Sequence, residues 1–258
     1  MISLLLCLCM GFSLLPTVVL ADDAEPTAST DITMQYDDYA DYGSDVTVAP
    51  DDTVLEVVDG KLYAKKVGSA TFTAGGTEYS VTVEKAKLNI VLVAGQSNAT
   101  GIHGSLDVPA ITPDKGNSYW WDGSALIDLS EKVADQEANE STSGRSVGWY
   151  PALAAEWYAL TGEKTVIIHK CVSGNPISTW ASYDGKSVAS QTTGTADAVK
   201  ACITAIQANG NYEIAHAGYY WLQGETDAFL TNSEGIKDYT TADKYEKAYL
   251  DSFAVRQE

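Results

Sequence analysis

The amino-acid sequence predicts an α/β domain with a parallel sheet, preceded by a small all-β module. Between residues 54 and 84, short alternating runs are separated by Asp59-Gly60 and Gly75-Gly76, a pattern typical of β-hairpins. From residue 88 onward, apolar runs alternate with longer helical patterns, as in a parallel sheet covered on both faces. A chain of 258 residues, 45% of them hydrophobic, can bury a core for both parts.

The N-terminal residues predict export. Residues 2–20 are apolar almost throughout and lead to the small residue Ala21, so we expect a signal peptide over residues 1–21. No Lys or Arg precedes this apolar run, which is nearly long enough to cross a bilayer; an uncleaved anchor is therefore the alternative. The expected location is secreted or at the cell surface, without membrane contact after cleavage.

Charge and cysteine content narrow the classes of partner. A net charge of −19, with only 16 Lys and Arg, argues against nucleic acid, because phosphate groups need basic patches. Cys7 and Cys9 would leave with the signal peptide, while Cys171 and Cys202 either form a disulfide or remain buried thiols. No metal-ligand spacing occurs, and we expect neither a metal nor another cofactor. The sequence does not indicate an oligomeric state.

Two segments precede the α/β domain. Residues 22–45 are rich in Asp, Thr, Ser and Tyr and predict an acidic linker or a loosely held edge. Four aspartates there invite a calcium interpretation, although their spacing misses the calcium-loop pattern: Asp37, Asp38, Asp41 and Asp45. Residues 46–85 predict a partial all-β module, and its run V-D-G-K-L-Y-A-K-K-V-G-S-A-T-F-T resembles the bacterial Ig-like surface modules. That resemblance implies a spacer or an adhesive unit.

The domain over residues 88–258 alternates predicted strands and helices. The strands are predicted at 88–94, 118–121, 165–171 and 217–222, and the helices at 147–160, 196–208 and 242–255. Parallel strands end at a common edge, so the loops 95–98, 172–180 and 223–227 should lie on one rim. Ser97 follows the first strand directly, in a position suited to a nucleophile beside free backbone N–H groups. The alternative is that Ser97 caps a helix.

Three motifs lie in these loops: G-Q-S-N at 95–98, S-G-N-P-I-S-T-W at 173–180 and W-L-Q-G-E-T-D-A at 221–228. In this order they resemble three blocks of the SGNH hydrolases, in the branch of sialate O-acetylesterases and family 6 acetyl xylan esterases. The resemblance implies a three-layer, flavodoxin-like fold and a carbohydrate O-acetylesterase that acts on acetylated polysaccharides or other glycans. Ala99 breaks the G-x-S-x-G turn of the α/β-hydrolases, so that family is rejected.

The resemblance also implies residue roles. Ser97 would attack the ester carbonyl, and its N–H, the Gly174 N–H and the Gln223 side chain would stabilise the oxyanion. Glu225 would orient a histidine. Further substrate-binding candidates are Gln96, Asn98, Asn175, Trp180 and Asp227. Taken singly, Gly174 could only turn the chain, Gln223 could only satisfy buried backbone, and Trp180 could be a buried aromatic at the base of its loop; Glu225 could be a solvated or backbone-binding carboxylate.

The sequence does not match the motif that supplies the catalytic base in these families. In these families an Asp-x-x-His block supplies the histidine that takes the proton of the serine, and no histidine follows His216 here. His103 lies six residues after Ser97 and could reach it in principle, whereas His169 and His216 lie on predicted strands and read as structural. We therefore expect a domain that is incomplete at its C-terminus and almost inactive as given. The competing function is a non-catalytic sugar-binding surface protein.

Overall fold

The computed structural model describes residues 30–100, 111–132, 149–180 and 190–229. The signal peptide, His103 and the helix predicted at 242–255 lie outside these residues. The architecture is mixed α/β, with sheets of four, three and five strands, and the five-stranded sheet contains parallel strands. No helix within the described ranges combines the length and apolarity needed to span a bilayer.

The N-terminal module consists of seven strands. They are β1 (Asp31–Gln35), β2 (Tyr39–Ala40), β3 (Thr47–Val48), β4 (Leu55–Val58), β5 (Lys61–Ala64), β6 (Gly68–Ala74) and β7 (Thr77–Glu84). Both predicted hairpins are confirmed, because β4 pairs antiparallel with β5 and β6 with β7. Asp59 and Gly60 both have positive φ, at 51° and 77°, as a two-residue hairpin turn requires. Leu55, Leu62 and Phe72 form part of the module core.

Within residues 30–45, the segment predicted as a linker or a loosely held edge contains two strands, and β1 lies at the edge of its sheet. Strand β1 pairs in parallel with β7, strand β2 pairs with β5, and Met34 is buried in the module core. The described part of this segment therefore belongs to the module. In β1 the apolar residues Ile32 and Met34 alternate with polar ones, which is the period of a strand with one buried face, but the acidic surroundings conceal it in the sequence.

The α/β domain is organised around a central strand. Its strands are β8 (Ala86–Gly95), β9 (Ser118–Trp121), β10 (Leu126–Asp128), β11 (Lys164–Cys171) and β12 (Tyr212–Leu222), in the order β10-β9-β11-β8-β12. Its helices are α1 (Ser97–Thr100), α2 (Tyr150–Thr161), α3 (Ser190–Asn209) and α4 (Glu225–Phe229), with a 3₁₀ turn at Ile177–Thr179. All strand pairs are parallel except β9 with β10. The four predicted strands and two of the predicted helices are thus confirmed.

The two long helices cover opposite faces of this sheet. Even-numbered residues of β8, such as Ile90, pack with Cys202 and Ile206 of α3. Odd-numbered residues, such as Val93, pack with Tyr150 of α2 and with Cys171. Cys171 and Cys202 therefore lie on different faces and are both free, which decides between the two alternatives for them. Burial raises the pKa of each thiol to about 12, so neither is a reactive thiolate near neutral pH.

The module is fastened to the amino-terminal edge of the five-stranded sheet by a buried lysine. Lys164, at the start of β11, has no exposed surface, and its Nζ lies 2.7 Å from Asp38 Oδ1 and 2.6 Å from Gly116 O. Tyr119 donates to Asp37 Oδ2 at 2.5 Å in the same cluster. Gly116 has φ +82°, and a Cβ there would lie 2.3 Å from Asp37 O. The two parts consequently meet through close, directional contacts.

Candidate active site

Three strands end at the same level of the sheet. Gly95 of β8 is in register with Cys171 of β11 and with Leu222 of β12. The pairing continues one step further, because Val172 N donates to Gly95 O at 2.9 Å and Gln96 N donates to Leu222 O at 3.0 Å. The prediction that the loops after these strands share one rim is therefore confirmed.

Gly95 makes the turn into Ser97 possible. Its φ is +134°, and a Cβ at this position would lie 2.0 Å from Leu222 O. No other residue fits without moving β12, since such a distance is far inside van der Waals contact. The chain can therefore leave the central strand abruptly and place Ser97 at the rim.

Ser97 begins the four-residue helix α1 and is half-buried. The turn is closed by Thr100, whose N–H donates to Gln96 O at 3.1 Å and whose hydroxyl donates to Ser97 O at 2.5 Å. Ala99 is fully buried beneath the turn. Ser97 is the first residue of the helix, and no described residue forms a hydrogen bond with its hydroxyl, so the described residues do not engage this hydroxyl in capping.

Two backbone donors lie at the rim, on loops from adjacent strands. Gly174 is exposed, has φ +74°, and has no other atom within 4 Å of where a Cβ would be. Within the described residues, no acceptor takes a hydrogen bond from the backbone N–H of Ser97 or of Gly174. Donors of this kind can stabilise a developing oxyanion.

The Gln223 carboxamide, predicted as a third donor, binds protein acceptors. Its Nε2 donates to Asn175 O at 3.1 Å and to Asp227 Oδ2 at 2.5 Å, and lies 3.4 Å from Gln96 Oε1. The nearest two acceptors can take both N–H groups of the amide. Gln223 therefore connects the loop after β11 to helix α4, and Asn175 takes part through its backbone carbonyl rather than its side chain.

Gln96 and Asp227, predicted to bind substrate, are buried, with 3% and 7% of their surfaces exposed. Gln96 Oε1 accepts from Thr226 N at 3.2 Å, and Asp227 Oδ2 accepts from Ile177 N at 2.9 Å. In this arrangement both side chains hold the rim loops together. Sequence reasoning did not single out Thr226, because it contributes only its backbone.

Trp180 has 0% of its surface exposed and packs edge-on against Trp221, with ring centroids 5.0 Å apart. It therefore offers no face on which a sugar could stack, and the alternative of a buried aromatic at the base of its loop describes its position. Sequence reasoning did not assign a role to Trp221, although its place at the end of a strand is a signal for such packing.

Glu225 lies directly across the rim from α1. Its Oε1 accepts a hydrogen bond from the exposed Asn98 side chain. Its Oε2 is buried, and no described residue donates to it; Asp227 Oδ1 is in the same situation. A buried acceptor without a donor costs about 1 to 3 kcal/mol, so an additional N–H or O–H group would bind favourably at these oxygens.

The described histidines are placed as structural residues. His169 stacks on Trp120 with centroids 5.2 Å apart, and burial, with a smaller contribution from Lys170, lowers its pKa to about 4. His216 is exposed and its Nδ1 lies 2.8 Å from Glu163 Oε2. Neither contact connects these rings to Ser97.

Comparison with known proteins gives distant structural neighbours. No family model and no curated protein matches the chain. A protein of Arabidopsis thaliana is similar in structure, with 13% identity and a TM-score of 0.45, over 65% of this chain and 68% of that one. A carbohydrate acetylesterase from Xanthomonas citri has 17% identity and a TM-score of 0.36, over 88% of this chain and 55% of that one. This chain thus spans about half the length of that acetylesterase, and neither TM-score supports a functional assignment.

Proposed function

We propose that this chain is a secreted serine esterase of the SGNH type that removes acetyl groups from glycans. The observation that carries the proposal is the common register of Gly95, Cys171 and Leu222, which brings the loops with the three motifs to one rim. Hydrogen bonds from Gln223 to Asn175 and from Asn98 to Glu225 then join these loops directly.

In the proposed reaction the Ser97 hydroxyl attacks the carbonyl carbon of an acetyl ester. The carbonyl oxygen becomes an oxyanion that accepts hydrogen bonds from the N–H groups of Ser97 and Gly174. Collapse of this intermediate expels the sugar oxygen, which takes back from the base the proton that came from Ser97, and leaves acetyl-serine; water then attacks the acetyl-serine and releases acetate. Each donor to the oxyanion contributes about 3 kcal/mol in comparable sites. Gln223 adds a third donor if its amide turns away from Asp227.

The reaction needs a base that accepts the Ser97 proton, and an imidazole suits this role at neutral pH. Glu225 Oε2 is a buried acceptor beside Asn98, and no described residue donates to it. We propose that it holds the N–H of that imidazole. The imidazole would in turn satisfy the carboxylate oxygen, which is the arrangement of a catalytic triad.

The proposal that the substrate is an acetyl ester rests on the size and polarity of the exposed residues at the rim. Ser173, Gly174 and Asn98 are exposed and are small or polar, which favours a short acetyl group over a long acyl chain. The glycan that carries the acetyl group is not specified further, and secretion follows from the predicted signal peptide.

The test is hydrolysis of p-nitrophenyl acetate by the wild type and by Ser97→Ala, with and without added imidazole. Ser69→Ala, an exposed serine of strand β6, is the matched control. Without imidazole we expect the wild type, Ser97→Ala and Ser69→Ala to be almost inactive, as the unmatched base predicts. With imidazole we expect equal acceleration of the wild type and Ser69→Ala, well above the Ser97→Ala background. A wild-type rate that is high without imidazole and lost in Ser97→Ala would show that the chain already supplies its base. Equal rates for the wild type and Ser97→Ala under both conditions would contradict an esterase and favour the sugar-binding alternative.

A further inference from the structure

A cleft of about 570 Å³ lies at the edge of the five-stranded sheet opposite Ser97. Its walls come from β1, β2 and the β4–β5 turn of the module, and from residues 114–117 and Tyr158 of the α/β domain. It therefore lies where the parallel strands begin, whereas Ser97 follows the end of β8. The neighbouring strand β11 has 8 residues, a length of roughly 25 Å, so the cleft is separate from the candidate active site.

The lining of the cleft combines aromatic rings with charges that balance. Three half-buried tyrosines contribute to its walls: Tyr39, Tyr42 and Tyr158. Four exposed charged residues also line it, two of each sign: Asp59, Asp114, Lys61 and Lys115. The remaining charged residue, Asp38, is paired with the buried Lys164. Lys115 Nζ also lies 4.0 Å from Glu131 Oε1, so the cleft presents no excess of positive charge.

Two of the phenols are held in their neutral form. Burial, followed by Asp37 and then by Asp128, Asp59 and Glu131, raises the pKa of Tyr39 to about 12. Burial, followed by Asp38 and Asp114, raises the pKa of Tyr158 to about 12. A tyrosine of ordinary pKa is already neutral near pH 7, and these hydroxyls can likewise donate hydrogen bonds while their rings offer apolar surface.

The walls are positioned before a ligand arrives. The Lys164 cluster holds the module against the α/β domain on one side, and Tyr39 stacks on Tyr63 of β5 with ring centroids 4.7 Å apart. Walls held by such contacts lose less conformational entropy on binding than free loops would, which favours affinity. The volume also falls within the range of about 300 to 1,000 Å³ found for small-molecule sites.

We propose that this cleft binds a neutral oligosaccharide. Sugar rings have apolar C–H faces that pack on tyrosine rings, and hydroxyl groups that donate to carboxylates and accept from ammonium groups. The lining disfavours a polyanion, since its two exposed lysines are balanced by two exposed aspartates. This binding does not depend on the chemistry of Ser97, although in the proposed esterase it would hold the glycan on the enzyme.

The experiment is isothermal titration calorimetry of the full chain with four neutral hexasaccharides: xylohexaose, cellohexaose, mannohexaose and chitohexaose. None of them carries an O-acetyl ester, so productive engagement of Ser97 is not required. We expect at least one of these hexasaccharides to bind with a dissociation constant between micromolar and millimolar. The double variant Asp59→Asn/Lys61→Ala, called the cleft pair, should weaken this binding at least tenfold. Asn tolerates the positive φ of Asp59, so the turn is retained. Asp51→Asn/Lys66→Ala, two exposed residues outside the cleft, is the matched control.

The outcomes separate this proposal from the esterase. Binding that survives Ser97→Ala and the control pair but weakens in the cleft pair supports the cleft, whatever the esterase assay gives. Failure of all four sugars to bind, binding unaffected in the cleft pair, or preferential binding of hexagalacturonate would overturn it. Melting temperatures of the variants within about 2 °C of the wild type establish that weakened binding is not unfolding.

Discussion

At the scale of single residues, the rim depends on backbone positions that only glycine can occupy without cost. Gly95 and Gly174 both have positive φ, but their surroundings differ. A Cβ on Gly95 would meet the backbone of Leu222, whereas a Cβ on Gly174 would meet no atom within 4 Å. The first position therefore combines crowding with conformational strain, and the second has the strain alone.

We predict that Gly95→Ala is much more destabilising than Gly174→Ala. The Gly174 variant should lose about 1 to 2 kcal/mol through its backbone conformation. The Gly95 variant should lose about 3 kcal/mol or more, because β12 must also move. Urea denaturation measures both values, and equal losses would show that Leu222 does not press on Gly95 as described.

A second prediction at the scale of single residues concerns His169 and the dependence of the free energy of unfolding on pH. Its pKa is lowered to about 4 by burial, against an ordinary value of 6.5. The unfolded chain therefore binds the proton first on acidification, so the stabilisation present above pH 6.5 is lost as the pH falls towards 4. The loss amounts to about 3 kcal/mol.

The measurement compares the free energy of unfolding of the wild type and of His169→Phe at pH 7 and pH 4.5. Phenylalanine keeps a ring against Trp120 and removes the titration. We expect the difference between the two proteins to shift in favour of the variant at the lower pH. A constant difference would mean that His169 is solvated in the native state.

At the scale of elements, the strands and turns with local signals could be predicted from the sequence. The hairpin turns at Asp59-Gly60 and Gly75-Gly76 require particular backbone angles, and few other residues supply them. Strand β1 was missed because its pairing partner, β7, lies about fifty residues away and its own run is short. Such a strand is stabilised by its neighbour rather than by its own residues.

The candidate active site, like the fold, could be predicted from the sequence only in part. The order of the motifs predicted a common rim, since parallel strands fix where loops lie. It could not predict that Asp227 takes the Gln223 amide or that Trp180 has no exposed face, because both depend on side-chain packing across different loops. Lys164 was likewise not singled out, as nothing near it in sequence indicates a buried charge.

The junction between module and domain yields a prediction about Lys164. Lys164→Met removes the ion-pair partner of Asp38 and one donor each to the carbonyl groups of Asp37 and Gly116, so we expect a loss of about 3 kcal/mol. Lys65→Met, which removes the exposed pair with Glu56 at 3.7 Å, should cost less than about 1 kcal/mol. Urea denaturation compares the two, and similar small losses would contradict a structural role for the buried pair.

At the scale of the whole molecule, the parallel sheet separates two regions. Its carboxyl-terminal rim holds Ser97 and the backbone donors, and its amino-terminal edge holds the module and the cleft. Because the module is fixed through Lys164 and Asp38, it is better described as a wall of the cleft than as a detached spacer. The site proposed for the esterase and the cleft proposed to bind a glycan therefore lie at opposite edges of one sheet.

The most direct test of the central claim is covalent labelling with a fluorophosphonate, followed by mass spectrometry of the modified peptide. The probe reacts with a serine only when that hydroxyl is an activated nucleophile. With imidazole present to supply a base, the account predicts a single adduct on Ser97 that is absent in Ser97→Ala and retained in Ser69→Ala. An adduct on another serine, or no adduct under any of these conditions, would contradict it.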